Sequence, residues 1–431
     1  MVYLYYEKLK NFINKKSFLF FQISVFLLLS APIPAAFFLI IALLGTHLNK
    51  NNNFSNNRWI WPFVLSGLFA ILSCINLSIR DLQIDGWDRS LAWLGLANWI
   101  PFFYFIWRAQ YFMQTAEMRK KIANMYLAGT VPFIFSSFGQ LWFDWHGPIV
   151  FLNGLIIWFQ RSVNMDSGKG ITAMFNNQNY AACWLAIIWP FCINKFLNLK
   201  GFSFKRLIYF IYSILLISCI YLTKSRGGLL STVTSTMFNV NQYILVLILV
   251  IVSSYSIATL SFVPIYIQNI FRKVFSERLL KVFEFSKNAN LLNEPRIFIY
   301  RNAIQIIMER PLLGWGASTF PIIFNARYPE FPREPLHPHN LILEMANSYG
   351  LIFAIIISIT IFLILIRSFI IIFIKKDIKY NLKNVESNNF ARAWWSSFFA
   401  LFITQMYDQQ YFDFRISISF WILITGLICM I

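Results

Sequence analysis

Long apolar runs alternate with short polar or basic connections along most of this chain. A membrane-crossing helix needs about 20 apolar residues, and every backbone amide in the hydrocarbon core must be paired within a helix or a closed barrel. Because the runs are continuously apolar, they predict helices. We expect about twelve transmembrane helices, at residues 18–31, 33–48, 59–79, 90–107, 122–141, 178–197, 206–222, 227–239, 243–265, 346–374, 392–409 and 415–431.

Three of these runs are short for a complete crossing. Pro32 and Pro34 separate the runs 18–31 and 33–48, and the run 227–239 is short as well. The first run follows a basic arm, as in a signal peptide, but no clear small-x-small cleavage site comes after it. We therefore interpret it as a retained first span.

The distribution of Lys and Arg sets the expected topology, because short cytoplasmic connections collect these residues. With the amino terminus inside, nearly all cytoplasmic connections are basic. Removing one span before residue 108 would put Arg119, Lys120 and Lys121 on the outer face. We therefore expect an even number of spans with both termini in the cytoplasm. The outer connections are then the segment with Asp81, Asp85 and Asp88, residues 142–177, the turn at 224–226, residues 266–338 and Asp408 to Asp413.

Residues 266–338 are the one long connection that a bilayer could not hold. They divide the chain into a membrane domain with spans 1–9 (1–265), a large outer loop, and a membrane domain with spans 10–12 (339–431). The loop begins with a basic amphipathic pattern over 270–285 that suits a membrane surface. A second helix is predicted to start at Glu294-Pro295. The fold class is thus an all-α polytopic membrane protein with one partly helical loop.

Composition agrees with this membrane assignment. The 431 residues are 58% apolar, 19% aromatic and only 13% charged, which is outside the usual range of soluble domains. The net charge of +19 is spread in small groups between apolar runs, so a nucleic-acid partner is not expected. The five cysteines lie within apolar runs without CxxC spacing, which indicates core residues and not a disulfide or zinc framework.

Two predicted outer groups carry more positive charge than the positive-inside rule favours. Lys224 and Arg226 lie in a very short turn, and residues 266–338 contain ten Lys and Arg against six Glu. The rule does not apply to long translocated domains, so it does not exclude the positive charge of the loop, but it does apply to the short turn. We therefore expect an anionic partner on the outer face.

Two arginines are candidates for binding that anion. Arg226 starts a predicted helix beside Gly227 and Gly228, where free amides and a close backbone approach suit phosphate. Alternatively, Arg226 snorkels to the interface. Arg296 lies in the first turn of another predicted helix, where the dipole disfavours a cation. Its placement indicates a partner outside the helix, unless it is simply a solvated arginine.

His337 and His339 flank Pro338 at the end of the loop. A lone surface histidine is usually inert, but imidazole is able to accept a hydroxyl proton near neutral pH. Glu344 would orient His339, line the acceptor site, or only favour the start of a helix. The spacing of His, Cys, Asp and Glu predicts no metal site, and no Walker-type loop is present. We expect no metal and no cofactor.

Four short motifs resemble those of the O-antigen ligase and O-antigen polymerase superfamily. His339-Asn340 followed by nine residues and Gly350 resembles its His-[Asn/Ser/Gln]-x9-Gly motif. Ser225-Arg226 and the segment Arg296 to Tyr300 resemble its two arginine motifs. Met174 to Ala181 resembles its Asn-rich signature. The resemblance covers about residues 170–375, and Phe353 departs from the usual motif, which leaves the subclass open.

The resemblance implies a GT-C-like, inverting, multi-pass glycosyltransferase of the inner membrane, with its active site on the periplasmic face. It implies an undecaprenyl-pyrophosphate-linked glycan donor and no metal. By position, His339 is the expected base, while Arg226 and Arg296 hold the pyrophosphate. His337 is the competing base. Other residues expected to contact substrate are Arg301, Asn340, Lys224, His337 and Glu344.

The motifs leave the acceptor open. We expect transfer to lipid A-core oligosaccharide, with O-antigen polymerisation or transfer to protein as alternatives. A different class of function is solute transport, because some relatives in the superfamily are described as bicarbonate-uptake proteins. Transport favours ionisable residues at mid-membrane. The predicted spans carry almost none, which favours the enzyme.

Overall fold

The computed structural model describes residues 2–47, 58–79, 86–163, 169–199, 201–239, 250, 253–259, 263–273, 295–332, 334–374 and 385–431. These residues are mainly helical, as predicted. The helices are α1 (Val2–Leu27), α2 (Pro32–His47), α3 (Trp61–Ile79), α4 (Ser90–Gly95), α5 (Ile100–Ala109), α6 (Ala116–Trp142), α7 (Gln178–Asn198), α8 (Phe204–Leu222), α9 (Arg226–Met237), α10 (Ile265–Arg272), α11 (Pro295–Glu309), α12 (Phe320–Arg327), α13 (Leu341–Tyr349), α14 (Leu351–Phe369), α15 (Val385–Tyr407) and α16 (Phe414–Ile428).

Every predicted span overlaps helical residues. Most of the span 243–265 lies outside the described residues, and residues 250, 253–259 and 265 within it are helical. The count of twelve spans stays a prediction. In the described part of the chain, five helical segments are long and apolar enough to cross a membrane: Trp61–Ile79, Ser90–Phe112, Gln178–Asn198, Phe204–Leu222 and Leu351–Ile374.

The predicted loop helices are found in part. Helix α10 covers the beginning of the amphipathic pattern predicted at 270–285, and residues 274–285 lie outside the described residues. Helix α11 begins at Pro295, as expected because proline is tolerated in the first helical turn. Its buried side packs with α12 in a small separate core around Ile299, Phe320 and Phe324.

The first two predicted spans form a helical hairpin. The basic arm is not a separate segment, because α1 runs without a break from Val2 to Leu27. Pro32 is the first residue of α2, where its missing N–H is tolerated. The Ser24 hydroxyl donates to the Ala35 carbonyl at 2.8 Å, which joins the two helices near the turn.

The expectation of an all-α fold is wrong at residues 149–158. Strands β1 (Ile149–Phe151) and β2 (Ile156–Trp158) pair antiparallel, with Val150 opposite Ile157. The connection contains Asn153-Gly154, both at positive φ. An Asn-Gly pair between β-branched residues favours a hairpin, and this signal was present in the sequence.

The predicted span 90–107 is a broken helix. Helix α4 is followed by a short 3-10 turn, Leu96–Asn98, and Trp99 has non-helical angles before α5 begins. Pro101 in the first turn of α5 favours a new start there. The Tyr411 hydroxyl donates to the Asn98 carbonyl at 2.7 Å, so a backbone group at the break is satisfied by a side chain.

The predicted span 346–374 is also divided, at Gly350. Gly350 has φ of 89°, and a Cβ there would overlap the Leu312 carbonyl oxygen, so the position requires glycine. The break frees backbone groups that the loop binds: Trp315 N–H donates to the Asn347 carbonyl at 2.7 Å, and Leu351 N–H donates to the Pro311 carbonyl at 2.6 Å. The segment between α11 and α13 is thereby fixed to helices α13 and α14.

Helices α7 and α15 form the centre of the membrane part. Residues 181–192 of α7 are all buried. The Ser397 hydroxyl donates to the Ile187 carbonyl at 2.7 Å, and the Asn194 amide donates to the Asn389 carbonyl at 2.9 Å. The helices are therefore antiparallel, with the start of α7 beside the end of α15, where the candidate site lies.

The predicted topology is testable with single cysteines. Glu330 lies on the predicted outer loop and Glu117 on a predicted inner connection, and both are exposed. We expect Glu330→Cys to react with an impermeant thiol reagent in intact cells, and Glu117→Cys to react only after permeabilisation. Background labelling is low because four native cysteines are buried. Protection of Glu330→Cys would contradict the predicted sidedness.

Candidate functional site

Asp408 directly follows the last residue of α15 and accepts hydrogen bonds from three directions. Its Oδ1 lies 2.8 Å from His339 Nδ1 and accepts the Gln409 N–H at 3.0 Å. Its Oδ2 accepts the Asn179 amide at 2.7 Å. The carboxylate, with a side chain only 8% exposed, therefore joins the start of α7, the end of α15 and the end of the outer loop.

The backbone around His339 holds the imidazole against Asp408. His339 has φ of 51°, a left-handed conformation that is strained for this residue type. Its carbonyl accepts the Tyr300 hydroxyl at 3.2 Å. Asn340 caps α13 by accepting the Ile342 N–H at 2.9 Å, and its amide donates to the Met406 carbonyl at 3.2 Å. Asn340 thus positions its neighbour in addition to starting a helix.

Asp408 stays ionised near neutral pH. Burial raises the pKa of its carboxyl, but the His339 hydrogen bond and the electrostatic effects of His339, His337 and Arg296 outweigh burial, so the pKa lies below its ordinary value. A carboxylate only accepts hydrogen bonds, so Nδ1 of His339 carries the proton. Nε2 is then the ring nitrogen left to accept a proton, and the side chain is 28% exposed. This arrangement suits a general base.

His337 is held differently. Its Nδ1 accepts the His339 N–H at 3.2 Å, and its Nε2 lies 3.9 Å from Oδ1 of Asp408. Burial and the neighbouring charge of His339 lower the pKa of His337 to about 4. Both ring nitrogens therefore face groups of the protein itself, which makes His339 the better placed of the two candidate bases.

Arg296 is positioned by helix α11. It lies one turn before Tyr300 on the same face of the helix, and Tyr300 bonds to the carbonyls of His339 and Met406. The positive charge of Arg296 lowers the pKa of both Asp408 and His337. Its side chain is exposed, so it faces the site without being buried in it. Arg301 is exposed further along the same helix.

Arg226 is the first residue of α9. Ser225 caps this helix by accepting the Gly228 N–H at 3.2 Å, and Lys224 before it has φ of 55°. A Cβ on Gly228 would overlap Ala182 of α7, and a Cβ on Gly227 would lie 3.7 Å from Tyr407 of α15. Gly228 therefore serves close helix packing, and Arg226 begins its helix beside the end of α15 with its side chain exposed.

The Asn-rich segment before α7 has a structural explanation. Asn177 caps α7 by accepting the Asn179 N–H at 2.8 Å, and Gln178 accepts the Gly170 N–H at 2.6 Å. Asn179 then reaches Asp408. Arg415 donates to the Met174 carbonyl at 3.0 Å. The segment both starts a buried helix and supports the carboxylate.

Sequence reasoning missed Asp408 and its support by Asn179. Asp408 is part of a polar Asp-Gln-Gln break between two apolar runs, and that break was the available signal. Glu344 was considered as the group that orients His339, but its carboxylate accepts the Ser348 hydroxyl at 2.8 Å, and Asp408 holds the imidazole. Glu344 instead lines an adjacent cavity with His337.

The cluster also contains donors for a metal ion. One ligand atom each from His337, His339 and Asp408 lies within 4.8 Å of the others. Two imidazoles and a carboxylate match zinc, and the spacing along the chain did not indicate this group. The nearby charge of Arg296, which acts on both Asp408 and His337, opposes a divalent cation.

Comparison with family models identifies residues 211–358 as matching the model described as O-Antigen ligase. The resemblance inferred from the short motifs is thereby confirmed. The match contains Arg226, Arg296, His337, His339 and Gly350, while Asn179 and Asp408 lie outside it. A comparison with curated proteins finds no match.

Glu344 makes a prediction about stability. Burial raises the pKa of its carboxyl from 4.5 to about 7, so the folded protein favours the neutral form. Below pH 4.5 the acid is protonated whether folded or unfolded, and stability is unaffected. As pH rises from 4.5 to 7, Glu344 ionises in the unfolded chain before it ionises in the folded protein. At about 1.4 kcal/mol per pKa unit, the free energy of unfolding falls by about 3 kcal/mol over this range.

We therefore expect Glu344→Gln to unfold at a higher temperature than wild type at pH 8, and to differ less at pH 5. Thermal unfolding of the purified protein in detergent measures this. Glu330→Gln, at an exposed position, is the matched control and should follow wild type. Equal pH dependence in wild type and Glu344→Gln would contradict the prediction.

Proposed function

Because residues 211–358 match the O-antigen ligase family model, we propose that the protein transfers a glycan from undecaprenyl pyrophosphate to an acceptor hydroxyl, with lipid A-core oligosaccharide as the acceptor. The reaction takes place on the periplasmic face of the inner membrane, with both termini in the cytoplasm. One observation supports this most strongly. The charge of Arg296 acts on the Asp408 carboxylate that holds His339, and Arg226 begins α9 beside Tyr407, the residue before Asp408.

The base in this proposal is His339. Its Nε2 accepts the proton of the acceptor hydroxyl while that oxygen forms a bond to the anomeric carbon of the donor sugar. The bond from that carbon to the pyrophosphate oxygen breaks, and its electron pair leaves with the pyrophosphate. Attack opposite the leaving group inverts the anomeric centre. Asp408 at 2.8 Å stabilises the imidazolium that forms.

The leaving group needs positive charge as its bond breaks. Guanidinium groups bind phosphate oxygens in pairs and hold a fixed charge. Arg226 starts α9 beside Tyr407, and Arg296 acts on Asp408 from α11. With Lys224 and Arg301 at neighbouring positions, these side chains supply the stabilisation that a divalent cation supplies in other transferases. The proposal is therefore metal-independent.

The lipid part of the donor needs an apolar path beside this site. A groove of about 310 Å³ lies between α11, α13 and α14, lined almost entirely by apolar side chains including Ile304, Leu343 and Ile355. Ile304 is two turns along the helix that carries Arg296. A polyprenyl chain in this groove would keep its pyrophosphate near the arginines.

Polymerisation of O-antigen repeats and transfer to protein use the same chemistry and remain alternatives for the acceptor. Solute transport is less supported. His337, His339 and Asp408 form an ionisable cluster at one end of α7 and α15. A transport path would instead place such groups near the middle of the membrane.

The proposal is tested by transfer in vitro, with a purified undecaprenyl-pyrophosphate glycan and lipid A-core oligosaccharide. We expect His339→Asn to lower kcat at least about 100-fold, which is the usual contribution of a general base. Asn tolerates the left-handed backbone at this position, so the fold is retained. Arg226→Ala and Arg296→Ala should lower kcat and raise the donor KM.

Arg327→Ala is the matched arginine control, because Arg327 lies on the same loop and pairs with Glu309 at 2.5 Å. It should retain transfer. Retained transfer in a folded His339→Asn variant would overturn the base assignment. Absence of any glycan transfer by wild type, to lipid A-core or to a second donor glycan, would overturn the proposed reaction.

Metal dependence is a separate prediction. Since Arg226 and Arg296 neutralise the leaving group, we expect the transfer rate to be unchanged after treatment with a chelator. Added zinc should inhibit, because it would occupy Nε2 of His337 and the Asp408 carboxylate. Loss of transfer on chelation, with recovery on adding back one divalent cation, would overturn metal independence.

A further inference from the structure

A cavity of about 470 Å³ adjoins the His339–Asp408 pair. It lies between the broken helix α4–α5, the loop residues 317–321 and 336–337, helix α13 and the segment after α15. Its volume falls in the range of about 300–1,000 Å³ that is usual for ligand sites. Exposed side chains stand at its edge, Leu94 at 65% and Leu336 at 77%, so it opens to the surface.

Gln409 gives this cavity an unexplained polar group. Gln409 lines the cavity and is 1% exposed. Among the described residues, neither its Oε1 nor its Nε2 has a hydrogen-bond partner. A buried amide without partners is costly, so a hydrogen-bonding partner is expected there, and a bound ligand group is one that fits. The amide offers one donor group and one acceptor, which matches a hydroxyl.

The remaining wall suits a sugar and not a phosphate. Glu344 and Ser348, which bond to each other, supply polar atoms, and Trp99 and Tyr349 supply aromatic surface. None of the described lining residues is Lys or Arg, so a pyrophosphate would find no countercharge there. Rings with several hydroxyl groups bind where hydrogen-bonding groups and aromatic faces alternate.

Two residues connect the cavity to the reacting atoms. Gln409 follows Asp408 directly and donates its backbone N–H to the carboxylate at 3.0 Å. His337 lines the cavity and lies with its ring centre 4.4 Å from that of His339. A ligand in the cavity is therefore adjacent to the proposed base, while the proposed pyrophosphate ligands Arg226 and Arg296 are not part of its wall.

We infer that this cavity binds the terminal saccharide of the acceptor, with the Gln409 amide holding a hydroxyl of that ring and presenting its nucleophilic hydroxyl to His339. The inference rests on the proposed transfer reaction and extends it to a specificity-determining residue, Gln409. The donor sugar is the other candidate occupant, and separate KM values for the two substrates distinguish them.

The test replaces Gln409 by Leu, which removes the amide at similar volume, and by Met as a second variant of similar size. Transfer is measured with undecaprenyl-pyrophosphate glycan as donor, and with lipid A-core oligosaccharide or a second donor glycan as acceptor, whichever wild type uses. The acceptor KM should rise about tenfold for the lost hydrogen bonds. The donor KM and kcat should change little, and the unfolding temperature should not fall.

Gln405→Leu is the matched control. Gln405 is a fully buried glutamine of α15 whose amide donates to Gln410 at 3.1 Å and which does not line the cavity. It should lower the unfolding temperature without a selective rise in acceptor KM. If wild type is active and folded Gln409 variants keep the wild-type acceptor KM, this inference alone is overturned. A rise confined to the donor KM overturns it in the same way. Inactive wild type overturns the proposed reaction itself.

Discussion

The carboxylate of Asp408 is the constraint on which the site depends. It is almost fully buried, and a buried charge is stable only when hydrogen bonds and opposite charges compensate for its lost hydration. Those partners come from Asn179, His339 and the Gln409 backbone. Because they lie on segments far apart in the chain, satisfying one charge brings together the start of α7, the end of α15 and the last residues of the outer loop.

Interruptions of regular helices make this convergence possible. The break at Gly350 lets the loop hydrogen-bond to the end of α13, and the break at Trp99 opens the wall of the cavity that Gln409 lines. Irregular backbone at membrane depth is tolerated where it is buried in protein or lines a cavity. In the described part of the chain, both breaks meet this condition, since other protein groups form hydrogen bonds with backbone groups that the breaks leave free.

Hydrophobic runs predicted the positions of the helices well because apolar length is a direct requirement of the bilayer. They did not predict the breaks within 90–112 and 341–374, because the apolar pattern continues across a kink. They did not predict the hairpin at 149–158, because its strands are too short to give a clear alternating pattern. Short motifs predicted His339, Arg226 and Arg296 as candidate site residues. Asp408 was missed because its role arises from a contact across 69 residues of sequence, which local pattern does not encode, and the same holds for Asn179 and for the unpartnered amide of Gln409.

The central claim is that Asp408 acts through His339, and a double-mutant cycle tests it most directly. Glycan transfer rates of wild type, His339→Asn, Asp408→Asn and the double variant are compared at fixed pH, with folding checked by thermal unfolding. If Asp408 only orients and stabilises the imidazole, the double variant is no slower than His339→Asn, because the carboxylate has nothing left to support. Losses that multiply in the double variant would contradict the account and give Asp408 a separate role.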